Sequence, residues 1–352
     1  MDYKKLFLAP LGLLFFFPFF IVHGQVTTKS LFAEMLNQPE ASLYLLTDFN
    51  ALHEDRNQDI DFDGYVILSS KLGVHYTGNA SINVRGKFRR KICEFPPLKL
   101  KFSNRHLQEL GYDKLNEIKL VTHCTEDYTL GEPNLVFEYG AYLLFQALQP
   151  NGFRAAWLNI TYDNARNREE TINTVGLAIE DKEEMAQKNQ MEVCECQGVA
   201  FQKMNQQNVE LVSIFQFLIG NADWDIQMLR NVELFTYPNT GEIFVFPYDF
   251  DFSGFVNPSY AIPNTDYGHE SIKDRVYLGP NLGIQELKKL VDYISSKENL
   301  LYEIIDNLPL VKKVYKKERI TYLEEGITYL KNLASNQKPL ANGTTLMHVE
   351  DQ

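Results

Sequence analysis

Two short stretches hold most of the acid that could do chemistry. GNADWDIQMLRN, residues 220–231, sets Asp223 and Asp225 on either side of Trp224; VFPYDFDF, residues 245–252, sets Asp249 and Asp251 on either side of Phe250. Carboxylates among aromatic and aliphatic residues are costly to desolvate unless a cation or dense hydrogen bonding compensates them. Asp249 and Asp251 alternate on a strand end and so point the same way, where like charges repel unless a cation lies between them. Such a pattern suits a site that holds a hard, oxygen-seeking divalent cation. The plainer use is capping: Asp223 and Asp225 can cap the following element, with Asn221 making an Asx-turn.

Cations stand in two other places. In INVRGKFRRKIC, residues 82–93, Arg85, Lys87, Arg89 and Arg90 surround Gly86. Such charge suits a phosphate site, although any surface strand can carry it. In LKLKF, residues 98–102, strict alternation turns Leu98, Leu100 and Phe102 to the core and puts Lys99 and Lys101 together on the other face. That face is either solvated or roofs a cleft. EPNLVFEYGAYLLFQAL, residues 132–148, reads as a helix with Pro133 in its first turn and Leu135, Tyr139, Tyr142 and Leu143 as its buried stripe. Glu138 falls on the edge of that stripe and needs a cationic partner.

The elements that must position these groups are legible in outline. The chain has 352 residues, 45% hydrophobic and 23% charged, an ordinary globular composition. Its net charge of −12 argues against general binding to nucleic acid or to an anionic membrane. MDYKKLFLAPLGLLFFFPFFIVHGQ opens with Lys4 and Lys5, an apolar run from Leu6 to Val22 and then Gly24, the layout of a secretory signal peptide over 1–24. The run is short for a bilayer span and contains Pro10 and Pro18, so no stable membrane insertion is expected after cleavage. Export would oxidise the four cysteines. They lack zinc-ligand spacing; a Cys93–Cys124 bridge, flanking one expected strand pair, is preferred, with Cys194 and Cys196 together in VCEC.

Short strands are expected at 43–46, 65–68, 80–84, 98–102, 157–162 and 175–180, with a charged helical stretch at 181–189. An apolar helix over 209–219 runs into Gly220-Asn221 and the first acidic stretch, and a hairpin pairs 232–235 with 243–246. Amphipathic helices at about 286–297, 299–306 and 310–334 precede a polar tail expected to be loose.

The order is a strand lysine, a helix glutamate, a crossover, then an Asp loop, a hairpin and a second Asp loop. Protein kinases use their parts in this order, but GxGxxG, HRD and DFG do not occur. INVRGKFRRKICEFPPLKLKF, IKLVTHC, LIGNADWDIQMLRN and VFPYDFDFSGFVNPSYAIP resemble the spore-coat-protein-H-like (CotH) family of atypical kinases, in particular its secreted bacterial branch, over about residues 40–335. The resemblance implies an α+β, bilobed, atypical protein-kinase-like fold: a β-rich N-terminal lobe over 25–182, a mainly helical C-terminal lobe over 183–336 and a tail over 337–352. It implies phosphoryl transfer from ATP with Mg2+, or with Mn2+ or Ca2+ in its place, to a hydroxyl, expected to be serine, of an exported or cell-surface protein. Asp223 would be the hydroxyl-orienting base, and Asn231 with Asp249 or Asp251 the metal ligands. Lys99 or Lys101, paired with Glu138, would bind phosphate, Arg85 and its neighbours would cover it, and Glu180 would lie at the hinge with Asp181. The rival of different class is a kinase-shaped binding or assembly module whose acids hold a divalent ion; the DxD pairs leave a metal-dependent glycosyl- or nucleotidyl-transferase as a third.

Overall fold

In a computed structural model of the chain, the described residues are 29–348, apart from 37, 39, 87, 125–127 and 168–170 and from the side chains of 128–132. The expected leader 1–24 and Lys87 lie outside them.

Seven strands come first: β1 (Ser42–Thr47), β2 (Asp61–Ser70), β3 (Gly73–Val84), β4 (Leu98–Phe102), β5 (Glu117–Thr122), β6 (Ala155–Asn164) and β7 (Thr171–Ile179). They close into a barrel in the order β1-β2-β3-β4-β5-β7-β6. The seam is the parallel pairing of β1 with β6, Ser42 opposite Asn159. The β-rich part expected from sequence is thus a closed barrel, which leaves no sheet edge exposed. Its interior is mainly aliphatic, with Leu45, Val66, Leu68, Ile82, Leu100 and Leu120 fully buried and Tyr76, Phe102 and Tyr162 in the same core. Alternation along β4 and β5 decides which charges lie outside. Leu98 pairs with Leu120 and Lys99 with Lys119, so with the leucines inward both lysines stand on the outer wall.

The helices are α1 (Leu31–Met35), α2 (Phe49–Glu54), α3 (Arg89–Ile92), α4 (Asn104–Glu109), α5 (Tyr128–Leu148), α6 (Lys182–Asn189), α7 (Gln206–Leu218), α8 (Ile284–Asp306) and α9 (Lys313–Ser335). A small sheet of β8 (Glu192–Cys194), β9 (Val232–Thr236) and β10 (Ile243–Pro247) lies beside α7, in the order β10-β9-β8. These elements share a second hydrophobic core with α5, α8 and α9, and Val121, Leu177 and Ile179 on the outer wall of β5 and β7 join it. The fold is therefore mixed α and β with two cores, and α5 lies between them.

Three expectations change. Helix α5 is buried on more than one stripe, since Val136, Phe137, Glu138, Ala141 and Tyr142 are all enclosed, as befits a helix packed on both sides. The two expected helices over 286–306 are one helix, α8, because no Gly or Pro interrupts it. The chain after Asn336 is docked as far as His348: β12 (Thr345–Leu346) pairs with β11 (Arg275–Val276), and Leu340 is fully buried.

Candidate functional site

The two acidic stretches are stapled to each other. Helix α7 ends in Gly220 at φ +62°, where a Cβ would run into the Tyr322 hydroxyl. The Gly220 carbonyl accepts from the Gly254 amide at 3.0 Å, and Asn221 bridges to Ser253. The β9–β10 hairpin fixes the rest, since Asn231 directly precedes β9 and Asp249 lies just beyond β10, and the Tyr248 amide donates to the Asn231 carbonyl at 3.1 Å. Leu229, Asn231 and Asp249 hold left-handed backbones at φ +50°, +52° and +60°. Such positions are uncommon outside glycine and cluster at sites where geometry matters.

Within this frame the acids divide. The Asn231 amide Nδ2 donates to the Asp223 carbonyl oxygen at 2.6 Å and to its Oδ2 at 2.9 Å. Burial raises the Asp223 pKa above the usual carboxylate range and Asp249 adds to the rise, opposed by Arg230, whose Nε is 3.6 Å away, and by Asn231. A raised carboxylate pKa suits a proton acceptor working near neutral pH. Asp225 does what a cap does: its Oδ1 accepts from the Met228 amide at 2.9 Å. Asp251 is 3% exposed and already engaged by Arg89, whereas Asp249 keeps 27% of its side chain open.

Arg89 is the centre of the deeper layer. Its guanidinium lies 2.6 Å from Asp251, 3.2 Å from Asp249 and 3.3 Å from Glu138. Glu138 therefore has its cation, but the partner is neither Lys99 nor Lys101. Those two pair with Glu117 at 3.8 and 3.4 Å and are 37% and 52% exposed. The physical reason is barrel order: α5 packs against β6 and β7, and β5 stands between β7 and β4. Burial raises the pKa of both Glu138 and Asp251, with Arg89 opposing it. The Oε1 of Glu138 is buried without a hydrogen-bond partner.

The lysine that does reach this region is Lys119, not one of the two on β4. It lies on the outer wall of β5, 3.8 Å from Asp181 and above the rings of Tyr248 (5.4 Å) and Phe153 (5.9 Å). Burial lowers its pKa, and the charge of Arg85 lowers it further. Arg85 and Asp249 also act together on Glu138, Tyr142 and Tyr248, which puts both in one neighbourhood. Arg85 has no ion pair among the described residues. A signal existed: in IKLVT, Ile118 and Leu120 alternate with Lys119 just as the leucines of LKLKF do with its lysines, and this strand is the last before the helix carrying Glu138.

The remaining expected groups lie elsewhere. Arg90 turns back to the Val84 carbonyl at 2.7 Å. Glu180 does sit where the barrel ends, but the residue is wholly buried, its carboxylate taken up by Arg154 (2.6 Å) and Lys188 (3.2 Å) and its amide by the Arg154 carbonyl (3.0 Å). Cys93 and Cys124 are bridged, with Cα atoms 4.6 Å apart, and this ties the end of α3 to the end of β5. Cys194 and Cys196 form the other bridge.

Among the described residues no three of His, Cys, Asp and Glu converge as a ready-made metal site. Arg89 sits among Glu138, Asp249 and Asp251 where such a cation would lie. Asp249, Asp223 and the Oδ1 of Asn231 remain as oxygen donors. Mg2+ is usually held by one or two carboxylates, substrate phosphates and water, so this donor set fits Mg2+ bound together with a phosphate-bearing substrate. It does not fit a cation caged by protein alone.

No protein-family model matches this sequence, and no curated protein does. Among solved structures, the chain is similar to the Helicobacter pylori proinflammatory kinase CtkA, with 14% identity and a TM-score of 0.36 over 69% of this chain and 96% of that one. A likeness of that size carries no weight for fold or activity. No helix among the described residues is long and apolar enough to cross a membrane.

Proposed function

We propose that the chain is a CotH-like phosphotransferase that moves the γ-phosphoryl group of ATP to a hydroxyl, serine in the first instance, of a protein. The observation that carries this is a single neighbourhood: Asp223 and Asn231 in one stapled loop, Asp249 in the next, and the desolvated Lys119 with Arg85, which has no ion pair among the described residues, near them on the barrel side. In this proposal the two cores are the two lobes of a kinase-like fold, with 180–181 as the hinge.

Each residue then has a task. Asp223 accepts the proton of the acceptor hydroxyl, whose oxygen forms the new bond to the γ-phosphorus. The bond from that phosphorus to the bridging oxygen breaks, and the nucleoside diphosphate leaves with the electron pair. Lys119 and Arg85 hold the phosphates. Arg89, anchored by Glu138 and Asp251, fixes where Asp249 stands. Mg2+, held by Asp249 and Asn231, would supply charge neutralisation on the phosphates. Lys99 and Lys101 have no part in it. Export is likewise proposed, on the signal-like 1–24 and on two disulfides that suit an oxidising compartment; the acceptor is then an exported or cell-surface protein.

The test is thermal unfolding of the purified protein with ATP or ADP, each with and without Mg2+, Mn2+ or Ca2+, alongside transfer to offered proteins. A ligand that binds only the native state raises Tm. Nucleotide with Mg2+ should do so, and Asp223→Asn should keep that shift while lowering transfer by roughly 10²–10⁴-fold. No shift with any nucleotide and no transfer would overturn the proposal. A shift with cation alone would favour the binding module.

A further inference from the structure

A cavity of about 400 Å³ opens beside Asp223, and nothing in the phosphate chemistry above uses the rest of its wall. Phe88, at the start of α3, and Phe252, in the second acidic stretch, form part of that wall. The segment 262–272 supplies Ile262, Asp266 and His269. That segment is pinned: the Asn264 Oδ1 accepts from the Asp266 amide at 3.1 Å, and the Asp274 carboxylate accepts from the amides of Glu270 and Ser271 at 2.8 Å each. A wall held in this way loses little freedom when something binds to it.

Three properties of the cavity narrow its occupant. Ile262 is 74% exposed and Phe88 is exposed at the same wall, a paired apolar surface facing water. Among the described residues, both charged side chains lining it, Asp223 and Asp266, are acids, no Lys or Arg lines it, and Asp266 has no ion pair. His269 is buried, yet its Nε2 has no hydrogen-bond partner. Burial also lowers the pKa of this imidazole, which keeps the ring neutral near pH 7, so the cavity gains no cation from it.

We propose that this cavity binds the acceptor polypeptide: a segment whose reacting Ser or Thr hydroxyl meets Asp223, with an apolar side chain against Phe88, Phe252 and Ile262 and a Lys or Arg at Asp266. The inference rests on the transferase proposal for the identity of the reacting group. Its recognition part, apolar contact plus one acidic selector, stands on the cavity alone. The volume suits one or two side chains rather than a whole folded surface.

The experiment compares three fluorescein-labelled serine peptides: one carrying Phe and Lys beside the serine, one with Glu in place of the Lys, and one with Ala in place of the Phe. Binding is read by anisotropy without nucleotide, and transfer is read separately with ATP and Mg2+. The first peptide should bind the wild-type protein about fivefold tighter than its Glu version and about tenfold tighter than its Ala version. Asp266→Lys should invert the Lys-over-Glu preference, and Ile262→Ser should erase the Phe-over-Ala preference alone. Both positions are on the surface, and an unchanged Tm confirms that each variant is folded. Equal binding of the three peptides, no binding at all, or preferences that ignore both substitutions would overturn the proposal. Selective binding with no transfer would sink the transferase and leave the recognition site standing; transfer with no selectivity would do the reverse.

Discussion

Two buried ionic clusters in this protein look alike and are built to opposite rules. Around Glu180, two carboxylates, Glu180 and Glu184, share two cations, Arg154 and Lys188; Arg154 also donates its backbone amide to Glu180, and Ser30 donates its hydroxyl to Glu184. Around Arg89, three carboxylates share one guanidinium, and one buried oxygen, Glu138 Oε1, has no partner. The first cluster has a hydrogen-bonding or ionic partner on each carboxylate and fastens α6 to the barrel end. The second has more carboxyl groups than cations and one buried oxygen unpartnered, which low-dielectric surroundings make costly. A cluster complete in the bare protein needs nothing more, whereas one left short suits a cation that arrives with a ligand. Under the proposed function the contrast assigns Glu180 a structural part and the Arg89 neighbourhood a ligand-linked one, although both were candidates for nucleotide contact by sequence.

Removing the central cation of each cluster should break them unequally. Arg89→Met leaves three acids facing one another and should cost about 3–5 kcal/mol in urea unfolding. Arg154→Met should cost less, because Glu180 keeps Lys188 at 3.2 Å. Added Mg2+ should recover part of the loss in the first variant and none in the second. Equal losses, with no cation effect in either, would erase the distinction. Next in size is the bridge that holds α3. Cys93→Ser with Cys124→Ser opens a link across 31 residues and should cost about 2–4 kcal/mol. Cys93 follows directly on the helix carrying Arg89, so this loss and that of Arg89→Met should combine to less than their sum in a double-mutant cycle. Opening the Cys194–Cys196 bridge, which spans two residues, should change stability much less.

The third effect is a pH dependence from the complete cluster. Burial and the neighbouring Glu180 push Glu184 up from an ordinary 4.5 to about 7. The folded state then binds this proton more tightly than the unfolded chain does. Its stabilisation is full below the unfolded pKa and is lost as pH rises through the folded one. Unfolding free energy should therefore fall by on the order of 1–3 kcal/mol from this group as pH rises from about 4.5 to above about 7. Glu184→Gln should flatten that part of the profile. Glu138 and Asp251 shift in the same direction, so the difference between wild type and variant, not the raw profile, is the measurement that decides. A variant profile as steep as wild type would place the proton elsewhere.

Much of this is legible in the sequence and some is not, for reasons local to particular residues. Alternation at LKLKF located β4 to the residue, and the Gly220-Asn221 stop located the end of α7, because both signals are contained in a few neighbouring positions. Pairing Cys93 with Cys124 also held. Closure of the barrel was not legible: it depends on β1 meeting β6 across more than a hundred residues, and no short-range pattern encodes that. The same non-local fact decided the lysine. Lys99, Lys101 and Lys119 have the same alternating surroundings in sequence, and only strand order tells which of them reaches the neighbourhood of Asp249. Arg89 was hidden differently, since it stands among five basic residues in RGKFRRK where burial of a single member leaves no mark.

The smallest change in stability, and the sharpest contrast, comes from that lysine. Lys119 is desolvated, repelled by Arg85, and meets the carboxylate of Asp181 only at 3.8 Å, so its charge is held at a disadvantage in the bare protein. Lys119→Met removes the charge while keeping most of the aliphatic stem over Tyr248 and Phe153. Stability without ligand should stay level or rise by up to about 1 kcal/mol, as substitutions at strained functional positions often do. The rise in Tm on adding ATP with Mg2+ should shrink, equivalent to at least about tenfold in Kd, since a charge-assisted phosphate contact is lost. Lys99→Met and Lys101→Met, on the same barrel wall but paired with Glu117, should leave both quantities unchanged. If Lys99→Met abolishes the ATP shift and Lys119→Met does not, nucleotide lies over β4, and the Arg89 cluster is as structural as the one around Glu180.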